Sequence, residues 1–126
     1  MINIERQIQH WRDSSLDDLE AARDLIGHKH VRQGLFWVHL TLEKMLKAHV
    51  CKRTGDLAPR IHNLVRLSEL GGLALEEDAI KFLGLANDFN LEGRYGELLG
   101  AVPELLEAEG ILRRTEEMLR WLNGRL

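Results

Sequence analysis

Apolar residues recur every three or four positions along most of this chain, which is the spacing of a helix face. The spacing predicts helices over residues 4–26, 31–53, 62–70, 76–90 and 104–122, with the glycine-containing stretch 91–103 as a helix end and a turn. The buried side of the fourth helix is predicted at Ile80, Leu83 and Ala86. No strand-like alternation of useful length accompanies these patterns. The sequence therefore predicts an all-α fold, an antiparallel up-and-down bundle of four main helices plus one short helix.

The second predicted helix differs from the others because it is apolar on more than one side. A soluble helix normally has a single apolar stripe, and the residues that exceed such a stripe here are Leu35, Phe36, Trp37, Val38, Leu40 and Leu42. We expect this helix either to be central in the bundle or to be covered by another subunit. It also carries His39, Glu43 and Lys47 at steps of four, on one helix face. Buried polar groups need partners, so the search for a site starts here.

Composition adds limits to this picture. A length of 126 residues and an apolar content of 44% suit one globular domain over residues 1–126. The net charge of −3 does not favour general binding to polyanions. Cys51 is the single cysteine, so neither an intrachain disulfide nor a cysteine-based zinc cluster is expected. The chain has no spanning apolar stretch and no secretory leader, so we expect a cytoplasmic protein without membrane contact.

Charge is distributed unevenly along the chain. Residues 44–66 contain six lysines and arginines and one acidic residue, whereas residues 69–109 contain ten acidic and two basic residues. One interpretation is that these are ordinary solvated helix surfaces. The other is a basic patch near the end of the second helix that attracts phosphate or an acidic partner.

Three segments in this order resemble the HEPN family: HLTLEKMLKAHV at 39–50, IHNLVRLSELGGL at 61–73 and NDFNLEGRYGELL at 87–99. The resemblance runs over nearly the whole chain. It implies an antiparallel helical bundle that pairs across a two-fold axis as a homodimer. For small bacterial members it further implies a nucleotidyltransferase protein as partner in a toxin–antitoxin-like pair, and nucleotide or RNA as ligand.

The resemblance also bears on enzymatic activity. Many family members are ribonucleases with an Arg-x4–6-His motif, and the matching position in this chain is Arg94, followed by Tyr95, Gly96 and Glu97. No histidine follows Arg94 at the required spacing. The expectation is therefore that the chain is not a ribonuclease of this type, and no catalytic residue is assigned.

The ligand-binding candidates are His39, Glu43, Lys47, His62, Arg94 and Tyr95. For His39, Glu43 and His62 three interpretations stay open: a buried hydrogen-bond network that fixes helix packing, a cluster facing nucleotide or RNA, and metal ligands. A His-x3-Glu pair alone is a weak metal signal, so no metal and no cofactor are expected. Arg94 offers a planar fork for phosphate, and Tyr95 can stack on a base.

The leading functional hypothesis is a non-catalytic, dimeric HEPN-type binding module. The first alternative is a metal-independent ribonuclease toxin whose acid–base histidine is His62 or His39. The second alternative is a structural helical adaptor without a ligand. A solvent-open groove that brings Arg94 and a histidine close together would favour the enzyme, and a dry polar network would favour the module.

Overall fold

A computed structural model of the chain describes residues 2–90 and 102–126, and within them the regular elements are helical. The elements in order are α1 (Ile4–Gly27), α2 (Val31–Thr54), α3 (Leu64–Leu70), α4 (Glu77–Asn87), a short 3-10 turn (Asp88–Asn90) and α5 (Leu105–Asn123). No strand occurs in these residues, so the predicted all-α fold is confirmed. None of these helices is long and apolar enough to cross a membrane.

Local capping explains where several helices begin and end. Asn3 caps α1, because its side chain accepts a hydrogen bond of 3.1 Å from the Arg6 amide. The Asn63 side chain caps α3 in the same way by accepting from the Arg66 amide. Helix α2 ends at Gly55, which has a left-handed φ of 67° that glycine adopts without steric cost.

Helices α1 and α2 form an antiparallel hairpin that the remaining helices complete. Ser15 on α1 donates to the Thr41 carbonyl on α2, and Asp18 on α1 pairs with Lys44 on α2. Both helices have 24 residues and are joined by the short link 28–30, so they pack along most of their length. Helix α5 lies against both of them.

Helix α2 is the central element of the bundle. Its buried residues lie on several sides of the helix from Gly34 to Cys51, while Phe36, Trp37 and Leu40 are half-buried. Helices α1, α3, α4 and α5 all contact it. Of the two predicted explanations for its apolar surface, the central position is the one observed. Its burial therefore gives no argument for a second subunit.

The fourth helix differs from its prediction in two respects. The regular α-helix ends at Asn87 rather than at residue 90, and the tighter turn Asp88–Asn90 follows it. Ile80 was predicted to be buried, but 41% of its surface is exposed. Phe82 takes the core position instead, beside Leu83 and Ala86, because the helix is rotated to bury its only aromatic side chain. The periodicity alone allowed either orientation.

Two helical glycines provide a test of the packing. A Cβ on Gly34 of α2 would overlap the Ile26 side chain and lie 3.2 Å from the Ile26 backbone nitrogen, whereas a Cβ on Gly84 of α4 would meet no atom within 4 Å. We expect Gly34→Ala to lower the free energy of unfolding by about 1–3 kcal/mol through overpacking. Gly84→Ala is the matched control and should raise it by up to about 1 kcal/mol, because alanine favours the helix.

Urea denaturation of the two variants measures both changes. If Gly34→Ala were as stable as Gly84→Ala, the close approach of α1 and α2 at this point would be wrong.

Candidate functional site

The Glu43 carboxylate is the centre of a polar cluster between α2 and the loop that follows it. Its Oε2 lies 3.0 Å from Nζ of Lys47, one turn further along α2. Its Oε1 lies 2.9 Å from Nδ1 of His62, which the loop brings back against the helix. Both Glu43 and Lys47 are buried. The structure thus brings together four predicted residues, which we call the Glu43 cluster: His39, Glu43, Lys47 and His62.

Lys47 is enclosed between a carboxylate and an aromatic ring. Besides its ion pair with Glu43, its ammonium lies 5.2 Å from the centroid of the Trp11 ring on α1. This distance suits a cation–π interaction, which is stronger when the cation is desolvated. The contact of Trp11 with Lys47 was not predicted from the sequence. A ligand phosphate would have to displace Glu43 to reach this lysine.

His39 is completely enclosed, with no surface exposed to solvent. Its Nε2 lies 3.0 Å from the backbone carbonyl oxygen of His62. Because a carbonyl can only accept, Nε2 carries the hydrogen and Nδ1 of the neutral ring has none. Nδ1 lies 3.7 Å from Oε1 of Glu43, without a hydrogen bond. Burial lowers the pKa of His39, although the nearby Glu43 carboxylate acts in the opposite direction.

His62 is the solvent-facing member of the Glu43 cluster, with 64% of its side chain exposed. It was predicted to open the third helix, but the helix begins at Leu64 behind the Asn63 cap. His62 instead belongs to the preceding loop, and two contacts hold it to α2. Its carbonyl accepts from His39 and its ring Nδ1 donates to Glu43. These contacts fix both the loop and the tautomer of the ring.

The other two candidates, Arg94 and Tyr95, lie outside the described residues. Their predicted role in binding phosphate and a base therefore stays a prediction. Within residues 2–90 and 102–126, no group of three or more histidine, cysteine, aspartate or glutamate side chains could hold a metal ion. In the Glu43 cluster, Lys47 already occupies the place that a cation would take beside the carboxylate.

A second polar contact between α1 and α2 was missed by the sequence reasoning. Lys44 lies 2.6 Å from the buried carboxylate of Asp18 and donates to the Ser14 hydroxyl at 2.8 Å. On the neighbouring face, Ser15 donates to the Thr41 carbonyl at 2.6 Å. The available signal was that Asp18 immediately precedes Leu19 on the apolar face of α1. The position of Lys44 in the sequence gave no indication that it would pair with Asp18.

Comparison with known proteins identifies one family. The model of the HEPN domain family matches residues 8–125, nearly the whole chain. No curated protein and no solved structure matches the chain significantly. The matched range contains the whole Glu43 cluster.

The Glu43–Lys47 pair predicts an asymmetry between single and double variants. Glu43→Leu should destabilise the fold by about 3–5 kcal/mol, because it leaves the Lys47 ammonium buried without its counter-charge. The double variant Glu43→Leu/Lys47→Met should recover much of this loss, because no stranded charge remains.

Glu77 and Lys81 on α4 provide the matched control, since they have the same spacing but are 82% and 71% exposed. Neutralising that pair should change the free energy of unfolding by only about 0.3–0.5 kcal/mol. Additive losses at Glu43 and Lys47 in chemical denaturation would contradict the buried pairing.

The buried histidines predict how stability depends on pH. Burial lowers the pKa of His39 and of His49 below the ordinary value of 6.5, so the unfolded chain takes up protons that the folded chain does not. The free energy of unfolding therefore contains the full contribution of these neutral histidines above pH 6.5. It should decrease as the pH drops below 6.5, by up to about 1.4 kcal/mol per pH unit for each histidine. His39→Gln keeps a donor for the His62 carbonyl and should reduce this slope. An unchanged slope between pH 5.5 and 7.5 in denaturation experiments would refute the assignment.

Proposed function

The chain belongs to the HEPN domain family, and from this premise we propose that it is a non-catalytic, dimeric binding module. Its proposed protein partner is a small nucleotidyltransferase, in a toxin–antitoxin-like pair. Its proposed ligand is nucleotide or RNA. The resemblance of the segments at 39–50, 61–73 and 87–99 to small bacterial members supports the partner and the ligand class.

The observation that carries the proposal is the burial of three members of the Glu43 cluster, His39, Glu43 and Lys47. The carboxylate of Glu43 is already engaged by Lys47 and His62, and His39 has no exposed surface. A general acid or base must come within hydrogen-bonding distance of the reacting oxygen. His39 cannot do so while it is enclosed. The buried members of the cluster therefore stabilise the fold, and this role fits a binding module better than it fits acid–base catalysis.

The surface that we propose for ligand binding is centred on His62. Arg60 and Arg66 are exposed on either side of it along the chain. Arginine binds phosphate oxygens through a planar fork, and an exposed imidazole can donate to or accept from a base or a sugar hydroxyl. His62 is also held rigidly by α2, which lowers the entropy lost on binding.

One observation favours the ribonuclease alternative. Glu43 accepts the Nδ1 hydrogen of His62, so the lone pair of the neutral ring is on Nε2, on a largely exposed side chain. A carboxylate that fixes the tautomer of a histidine in this way is the arrangement that general acid–base catalysis uses. His62 is therefore the candidate residue if the chain cleaves RNA.

One set of measurements on the purified chain tests both functions. Light scattering should give twice the chain mass of 14.5 kDa, and co-expression with a nucleotidyltransferase should give a complex of both proteins. Fluorescence anisotropy should detect RNA that is bound and recovered intact. His62→Gln should weaken this binding by about tenfold, which corresponds to about 1.4 kcal/mol.

His30→Gln is the matched control, because His30 is also exposed but lies in the link before α2. If the chain cleaves RNA without added metal, and if this cleavage is lost in His62→Gln but kept in His30→Gln, the ribonuclease hypothesis would replace the binding-module hypothesis. A strict monomer that binds neither RNA nor the nucleotidyltransferase would reject the module.

A further inference from the structure

The C-terminal ends of α2 and α5 meet the turn after α3 around a cavity of about 380 Å³. Its lining, which we call the basic pocket, consists of His49, Lys52, Arg53, Gly71, Leu73 and Arg125. We propose that the basic pocket binds the phosphate group of a phosphorylated ligand. Lys47 and His49 are two positions apart on α2 and thus point about 200° apart. The basic pocket is therefore on another side of α2 from the Glu43 cluster, and the inference does not depend on the function proposed for His62.

Charge is the first argument for an anionic ligand. Lys52, Arg53 and Arg125 bring three permanent positive charges to one cavity. Among residues 2–90 and 102–126, none of the three forms an ion pair with an aspartate or glutamate side chain. Lys52 Nζ also lies 3.4 Å from the backbone oxygen of Leu126, which takes up one of its donors. Asp56 is near in sequence, but its carboxylate accepts a hydrogen bond from the Leu57 amide. Clustered positive charges on a concave surface concentrate anions.

Contacts within the fold hold the three cations in place. Lys52 Nζ donates to the backbone carbonyl of Arg125 at 2.8 Å. The Arg125 guanidinium stacks on Trp121, at 3.6 Å from the ring centroid, and its Nη1 donates to the Trp121 carbonyl at 3.3 Å. The Arg53 guanidinium lies against Gly72, whose φ of 68° and lack of a side chain permit this approach. Binding would therefore cost less side-chain entropy than it would at three freely moving residues.

His49 forms the buried floor of the basic pocket. Its Nε2 donates to the Leu122 carbonyl at 2.8 Å, which joins α2 to α5. Burial lowers the pKa of His49, and the charges of Lys52 and Arg125 lower it further. The same positive potential that disfavours a protonated His49 favours a bound anion.

A purely structural explanation covers only part of this arrangement. Lys52 and Arg53 lie in the last turn of α2, where cations stabilise the negative end of the helix dipole. Arg125 follows the end of α5 and donates to the Trp121 carbonyl in the last turn of that helix, so the same explanation applies to it in part. The explanation does not account for the cavity that the three cations share. The size of the cavity falls within the range of about 300–1,000 Å³ for ligand pockets. It leaves room for a group attached to the phosphate.

Amide NMR on the full chain tests the proposal, with inorganic phosphate titrated against chloride at constant ionic strength. The amides of Gly71, Gly72 and Leu73 should shift in a saturable way, because they line or adjoin the basic pocket. The variant Lys52→Gln/Arg53→Gln/Arg125→Gln should weaken the affinity at least tenfold. Thermal unfolding of this variant checks that it is folded.

Arg32→Gln is the matched control, since Arg32 is exposed near the opposite end of α2, about 30 Å away at the helical rise per residue. It should leave the titration unchanged. His62→Gln should also leave it unchanged, so failure of the His62 surface and failure of the basic pocket are distinguishable.

Two further ligands distinguish the source of the phosphate. A nucleoside 5′-monophosphate carries a terminal monoester, whereas a dinucleotide without terminal phosphates carries only the diester of an RNA backbone. Tighter binding of the nucleoside 5′-monophosphate would identify the ligand as a free phosphorylated metabolite. Equal or tighter binding of the dinucleotide would identify it as RNA. The absence of a saturable shift with inorganic phosphate, or equal losses in the triple variant and in Arg32→Gln, would overturn the proposal.

Discussion

The rest of the structure depends on how one desolvated carboxylate is neutralised. Glu43 lies on the most buried helix of the bundle, where an unpaired charge would be very costly. Lys47 compensates this charge from the same helix, and His62 donates a hydrogen bond to the carboxylate from the loop that follows α2. The second partner fixes the path of that loop. The position of α3 is therefore linked to a polar contact as well as to apolar packing.

The enclosure of α2 also explains why its polar residues fall into two separate groups. On one side, the Glu43 cluster is closed by Trp11 and exposes chiefly His62. On another side, the basic pocket opens between the ends of α2 and α5. A central helix contacts every other element, so each of its faces meets different partners. One helix can in this way support a structural network and a separate ligand surface.

Much of the fold could be predicted because helices of this length have strong periodic patterns. The ends of α2 and α3 follow from Gly55 and from the glycine pair at 71–72. The orientation of the short helix α4 could not be predicted, because Ile80 and Phe82 are both apolar and a short helix has few positions to define its face. The sequence left two explanations open for the apolar surface of α2, a central position or cover by another subunit, because periodicity does not show how many neighbours a helix has.

By itself, the sequence determined the helical content, the family and the spacing of His39, Glu43 and Lys47 on one face, because these depend on local periodicity and on residue order. Only the tertiary structure decided that Lys47 faces Trp11, that His62 precedes α3 and reaches Glu43, and that Arg125 joins Lys52 and Arg53. These contacts join residues that are far apart in the chain. Their geometry depends on how whole helices pack, which a local pattern does not specify.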